Sequence, residues 1–343
     1  MPRKVNISPD DLLYGARSGI QKGIRRGNLD LVKTCFDILW NDKQQRNWLK
    51  WRLTVLVFEE CWPMLGELHE FYESKPTEEA QYRKFIYQLA LATKSKDAPI
   101  QMLINAPSEN FTPEQWNHYE LRNVKILHDK IENDDPTTVV DSLFEECVIS
   151  SPRGKITDYE RNAIRLVRKR VGMGGMLGDR MSCLSVMMLI SFRGLNPQFT
   201  KADIKAGAKR WYKRIRRKRQ PKTVTLPWYC FDMHTQAGKI GGRIFEKHKM
   251  GKYPGLEPSN FYMIWFFCAS GVMEKSLIRW KTHGFESATQ FDPYDTVWWI
   301  PLMKHHLTYG TNDARATKSL WDKSMEEDIR GGVRWILQKR SEK

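Results

Sequence analysis

Apolar residues in this chain return at every third or fourth position behind recognisable helix caps, while runs that alternate as a half-buried strand does are almost missing. A chain patterned in this way must bury one helical stripe against another. Ser8 followed by Pro9 opens a helix expected over 9–27. Asn28 caps the next, in which Leu31, Val32, Cys35, Phe36, Ile38 and Leu39 are apolar. The pattern predicts further helices over 48–62, ending before Pro63, and over 78–93, from Thr112 onward and over 136–148. Later ones are expected near 157–171, 177–192, 200–218, 234–249, 259–281, 293–307 and 317–340. The segment 222–226 is about the only strand candidate. The expected fold class is all-α.

Charge divides the chain. Residues 1–150 carry 19 Lys and Arg against 23 Asp and Glu, whereas residues 151–252 carry 25 against 6. The net charge of +16 therefore belongs to one stretch of about a hundred residues. The sign changes at the linker candidate SSPRGK, residues 150–155. Two domains are expected: 1–150, for oligomerisation or partner docking, and 151–343, basic, aromatic-rich and nucleic-acid-binding. Localised positive charge is what a polyanion binder requires.

The densest part is 201–222, with 11 Lys and Arg and one Asp in 22 residues. Thr200 and Asp203 have the spacing of a capping box, and Ile204, Ala208, Trp211 and Ile215 make one apolar face. The other faces carry Lys205, Lys209, Arg210, Lys213, Arg214, Arg216 and Arg217, the candidate phosphate contacts. Trp211 lies on the apolar stripe and reads as core, although it and Tyr212 could stack on bases. A second basic helix opens with Thr157 and Glu160, buries Ala163, Ile164, Val167 and Val171, and presents Arg161, Arg165, Arg168 and Lys169 on the other side. A third group is Lys239 and Arg243, one turn apart at a helix start, where a phosphate would meet free backbone N–H groups.

Asp232, His234 and Thr235 form a small motif. It suits either a general base or metal pair, or a helix cap, and the cap is the favoured reading. The glycine-rich 171–179 lacks the Gly-Lys-Ser/Thr that a phosphate-binding loop needs and reads as a helix break. Adjacent His305 and His306 point to different faces of a helix and make a poor metal pair. The six cysteines stand singly, which favours a reducing compartment. The longest apolar run, 261–273, is short for a membrane span, and the N-terminus lacks the apolar core of a signal peptide. No catalytic residue, cofactor or metal is expected. The expected location is the cytoplasm, of a host cell if the protein is virus-encoded.

Three segments, in order, resemble a known family. They are GARSGIQKGIRRGNLD at 15–30, WRLTVLVFEE at 51–60 and LALATKSKD at 89–97. Together they are similar to the C-terminal region of RarA/MgsA proteins, AAA+ ATPases of replication-associated recombination and relatives of clamp loaders. A fourth segment, LPWYCFDMHTQAGK at 226–239 followed by GRIF at 242–245, resembles a tail of phage and bacterial homologues of that region. The resemblance implies a helical collar-like domain that oligomerises or docks a partner beside DNA. It does not imply ATP hydrolysis, because the nucleotide-binding loop GxxxxGK[ST] occurs nowhere in the chain.

The expectation is a phage-type, non-enzymatic accessory protein that binds DNA, single-stranded in particular, by its phosphates, in replication, recombination or transcription. A polymerase or replisome protein and a second copy of the chain are the expected partners. One alternative is an adaptor or transcription factor that recruits an RNA polymerase. Another is a metal-dependent nuclease using Asp232 and His234.

Overall fold

A computed structural model describes residues 7–92, 145, 148, 151, 153–172, 186, 187, 190, 194–197, 226–256, 258, 261 and 323–341. The protein is all-α, and there is no strand among the described residues. Among the described residues the continuous helices are α1 (Pro9–Arg25), α2 (Leu29–Asn41), α3 (Lys43–Cys61), α4 (Leu65–Glu73), α5 (Glu79–Leu91), α6 (Asp158–Gly172), α7 (Gln236–His248) and α8 (Lys323–Ser341). Short 3-10 turns lie at Trp62–Met64, Trp228–Cys230 and Met250–Lys252. No described helix is long and apolar enough to cross a membrane. The expected helices near 200–218, 259–281 and 293–307, and those opening at Thr112 and covering 136–148, lie in whole or nearly so outside the described residues, as does most of 177–192.

The chain divides into two compact units, and the division falls inside α3, between Lys50 and Trp51. The first unit holds α1, α2, the start of α3, and the described residues from Leu226 to Phe261 and from 323 to 341. Its first helix begins and ends on side-chain and backbone chemistry legible in the sequence. The Ser8 hydroxyl accepts a hydrogen bond from the Asp11 N–H at 3.2 Å, with Pro9 in the first turn. At the other end Gly27 adopts φ 60°, the left-handed conformation that costs glycine least. Its N–H donates to Ile24 O at 3.0 Å and the Asn28 N–H donates to Gly23 O at 2.8 Å, a Schellman closure. The helix so ends at Arg25 rather than Gly27. Asn28 then caps α2, accepting from the Leu31 N–H at 3.1 Å.

Gly15, Gly19 and Gly23 lie four residues apart on α1 and let neighbours come close. A Cβ on Gly23 would meet Val32 at 2.8 Å, one on Gly19 would meet Cys35 at 2.6 Å and Cys230 at 2.9 Å, and one on Gly15 would meet Phe231 at 2.6 Å. One glycine stripe thus receives α2 on one side and the 226–231 segment on the other. Helix α7 packs on α8 in the same manner, with Gly241 facing Val333 and Gly332. Buried Phe245 stacks on Phe261 at 4.3 Å and on Tyr253 at 5.8 Å.

The second unit holds the rest of α3 with α4, α5 and α6. Leu53, Leu56, Val57 and Phe58 are buried. Helix α3 starts at Lys43, five residues before the expected Trp48, because the Asp42 carboxylate caps it from the Gln45 N–H at 2.8 Å. Phe71 of α4 stacks on Phe85 of α5 at 4.7 Å and meets Tyr82 edge-on at 5.1 Å. Tyr159 of α6 lies over Gly66 of α4, where a Cβ would come within 1.7 Å of its ring. Its hydroxyl donates to the Glu67 carboxylate at 2.8 Å.

Candidate nucleic-acid interface

Helix α6 starts on the capping box expected of Thr157 and Glu160. The Glu160 N–H donates to the Thr157 hydroxyl at 3.3 Å, and the Thr157 N–H and hydroxyl both donate to the Glu160 carboxylate at 2.9 Å. The same carboxylate accepts from the Leu195 N–H at 2.9 Å and from Arg153 at 2.8 Å. Burial alone would raise its pKa. The N–H groups of Thr157 and Leu195, the Thr157 hydroxyl and Arg153 outweigh that and hold it below the ordinary value.

With its start fixed, α6 buries Ala163, Ile164 and Val167. Arg165, Arg168 and Lys169 are exposed. Arg161 differs from the expectation of a solvent-facing cation: it is half-buried and pairs with Asp158 at 3.9 Å.

In the first unit, Lys239 and Arg243 are exposed on α7, and Lys247 continues their line one turn further on. Ala237, Gly241 and Phe245 are buried on the same helix, so its cations and its core face are segregated. The start of α7 is a cap. The Thr235 hydroxyl accepts from the Gly238 N–H at 3.1 Å and donates to Asp232 O at 2.9 Å. Gly238 is pressed so close to that turn that a Cβ would lie 1.7 Å from Asp232 O. Lys205, Lys209, Arg210, Lys213, Arg214, Arg216 and Arg217 lie outside the described residues, as do the Thr200 cap and Trp211.

The Asp232 carboxylate is 7% exposed and is held from three directions. One oxygen pairs with the Lys22 ammonium of α1 and accepts from the Ser18 hydroxyl at 3.3 Å. The other accepts from the His234 backbone N–H at 2.9 Å. Lys22, itself 5% exposed, also donates to the Tyr229 carbonyl. Burial would raise the Asp232 pKa, but Lys22, the charge of His234 and the hydrogen bonds hold it below the ordinary carboxylate value. Burial lowers that of Lys22 in spite of its partner. His234 is exposed. Asp232 thereby ties α1 to the start of α7, which Thr235 caps.

Lys22 and Ser18 were not among the residues singled out from the sequence. The available signal was a cation on the glycine-lined face of α1, where close packing leaves no water to solvate it and a carboxylate becomes necessary. Among the described residues no group of three or more His, Cys, Asp or Glu side chains could hold a metal ion. No family model matches the chain, and neither a curated protein nor a solved structure is found to match it.

Proposed function

We propose that this chain is a DNA-binding accessory protein without catalytic activity of its own, holding single-stranded DNA by its phosphates in replication, recombination or transcription. The observation that carries the reading is the segregation of charge, a net excess of 19 positive charges within 151–252 of a chain that is close to neutral elsewhere. Supporting it are the exposed Arg165, Arg168 and Lys169 on α6 and Lys239 and Arg243 on α7, each on a helix whose other side is buried. The burial of the Asp232 carboxylate against Lys22 weighs against its use in a nuclease. On the resemblance to the RarA/MgsA C-terminal region, residues 1–150 serve self-association or docking to a polymerase or replisome protein.

The test is an electrophoretic shift with single- and double-stranded oligonucleotides over a salt series. Binding should weaken steeply as salt rises, with a slope of about −0.7 per phosphate contacted on a single strand. Reversing Lys209, Arg210, Lys213, Arg214 and Arg217 to Glu together should abolish it. Binding that survives this variant in full removes the basic stretch as the footprint. Affinity no better than that of an unrelated basic protein removes DNA as the ligand.

A further inference from the structure

The first fifty residues are not part of the basic stretch, yet they carry 10 Lys and Arg against 5 Asp. Three of those cations are interleaved with aromatic rings. The Arg17 guanidinium lies 5.4 Å from the centre of the Tyr14 ring and 4.8 Å from that of Trp48. Arg46 lies 5.4 Å and the Lys50 ammonium 5.6 Å from the centre of the Trp40 ring. These are cation–π distances.

Each group is held by further contacts. Arg17 Nε donates to Gln45 Oε1 at 2.5 Å, and Gln45 is buried. Arg46 Nε donates to the Trp40 carbonyl at 3.0 Å, and Trp40 stacks on Phe36 at 5.1 Å. Tyr14 is 51% exposed, while Trp48, Arg17, Arg46 and Lys50 are half-buried. The Tyr14 ring thus stands half in solvent with a guanidinium over it, and that positive charge favours an anionic partner.

We infer that Tyr14, Arg17 and Trp48 form a stacking platform for the bases of single-stranded nucleic acid. A single strand presents flat, unpaired base faces and a phosphate at each step, which matches two rings with a guanidinium between them in contact. Duplex DNA has its base faces already stacked and offers only phosphates. The inference rests on the DNA-binding reading, but it uses other residues and a different interaction: base stacking, which salt screens little.

The experiment is fluorescence anisotropy of the full chain with a labelled 20-mer of deoxythymidine, a duplex of the same length and an abasic 20-mer that keeps the phosphates. Tyr14→Ala should weaken binding to the thymidine strand about five- to a hundredfold, the range for removing one stacking ring. It should leave the duplex and the abasic strand within twofold. Tyr14→Trp should bind the thymidine strand at least as well as the parent. A thermal melt superimposable on that of the parent shows that Tyr14→Ala is folded. If it binds the thymidine strand like the parent, or loses the abasic strand equally, the platform is wrong and the DNA-binding reading stands. If the parent binds none of the three, both fall together.

Discussion

Lys22 and Asp232, 210 residues apart in the chain, form a buried ion pair that fastens α1 to the turn before α7. Two charges taken out of water gain little over well-packed apolar groups, but a lone survivor is costly. Lys22→Met and Asp232→Asn should each destabilise the protein by about 3–5 kcal/mol, because each leaves its partner buried and uncompensated. The double variant should lose far less than the sum of the two. Urea unfolding of the four proteins in the cycle measures this, and strict additivity would show that the two charges are not coupled.

The acid side of the stability profile follows from Asp232 and Glu160, whose pKa values the fold holds below the ordinary carboxylate range. A carboxyl depressed in the folded state binds its proton more readily when unfolded. Its contribution is therefore complete above about pH 4, the unfolded value, and disappears as pH falls through the lower folded value. Urea midpoints taken from pH 6 down to pH 2.5 should fall with acidity. In Glu160→Gln, which has no proton to gain at that position, the midpoint should start lower and fall less.

Adjacent glycines in α8 should respond in opposite directions. A Cβ on Gly331 would meet nothing within 4 Å, and the residue is exposed in the middle of a helix. Gly331→Ala should stabilise the protein by about 0.5–1 kcal/mol through helix propensity alone. A Cβ on Gly332 would press against Gly241 O at 3.3 Å, so Gly332→Ala must separate α8 from α7 or crowd the contact. It should destabilise by about 1–3 kcal/mol. Thermal melts of the two variants decide it, and equal shifts would mean that the α7–α8 contact is looser than described.

What the sequence made legible was local. The caps at Ser8, Asn28, Thr157 and Thr235 could be read because each acts on N–H groups two or three residues away. The buried faces of α2 and α6 could be read because helical periodicity is a property of one segment. Nothing local told that Gly19 would meet Cys230, or that Lys22 would need Asp232, since both depend on segments about 200 residues away. The Arg17 stack was hidden for a related reason: Tyr14 and Arg17 are neighbours on one helix, but Trp48 belongs to another. Within the candidate interface the exposure of Arg165, Arg168, Lys169, Lys239 and Arg243 followed from periodicity. The partial burial of Arg161 did not.

Cys35 and Cys230 both border the Gly19 contact, and burial raises the pKa of both thiols, that of Cys230 up to about 12. At pH 8 about one Cys230 in ten thousand is then a thiolate, the reactive form. Iodoacetamide at pH 8, with modified peptides read by mass spectrometry, should leave both unlabelled in the native protein and label both in urea. Native labelling at either position would mean that the contact between α1 and the 226–231 segment opens readily.

The exposed cations of α6 and α7 allow the phosphate reading to be tested without touching residues 201–222. Arg165→Glu with Lys169→Glu alters α6, and Lys239→Glu with Arg243→Glu alters α7, in each case at exposed positions. Neither pair should shift the melting temperature by more than a degree or two, since surface substitutions cost within about 0.5 kcal/mol. A pair that touches phosphate should weaken DNA binding at low salt and flatten the dependence of log K on log salt by about 0.7 for each phosphate no longer neutralised. A pair that acts only through the general field of the protein should lower affinity at low salt, with the difference vanishing as salt rises past the Debye limit. Both cases flatten the slope, so affinity that stays lost at high salt, where the field is screened, marks a cation that touches the strand. If both pairs leave affinity and slope unchanged, neither helix belongs to the interface.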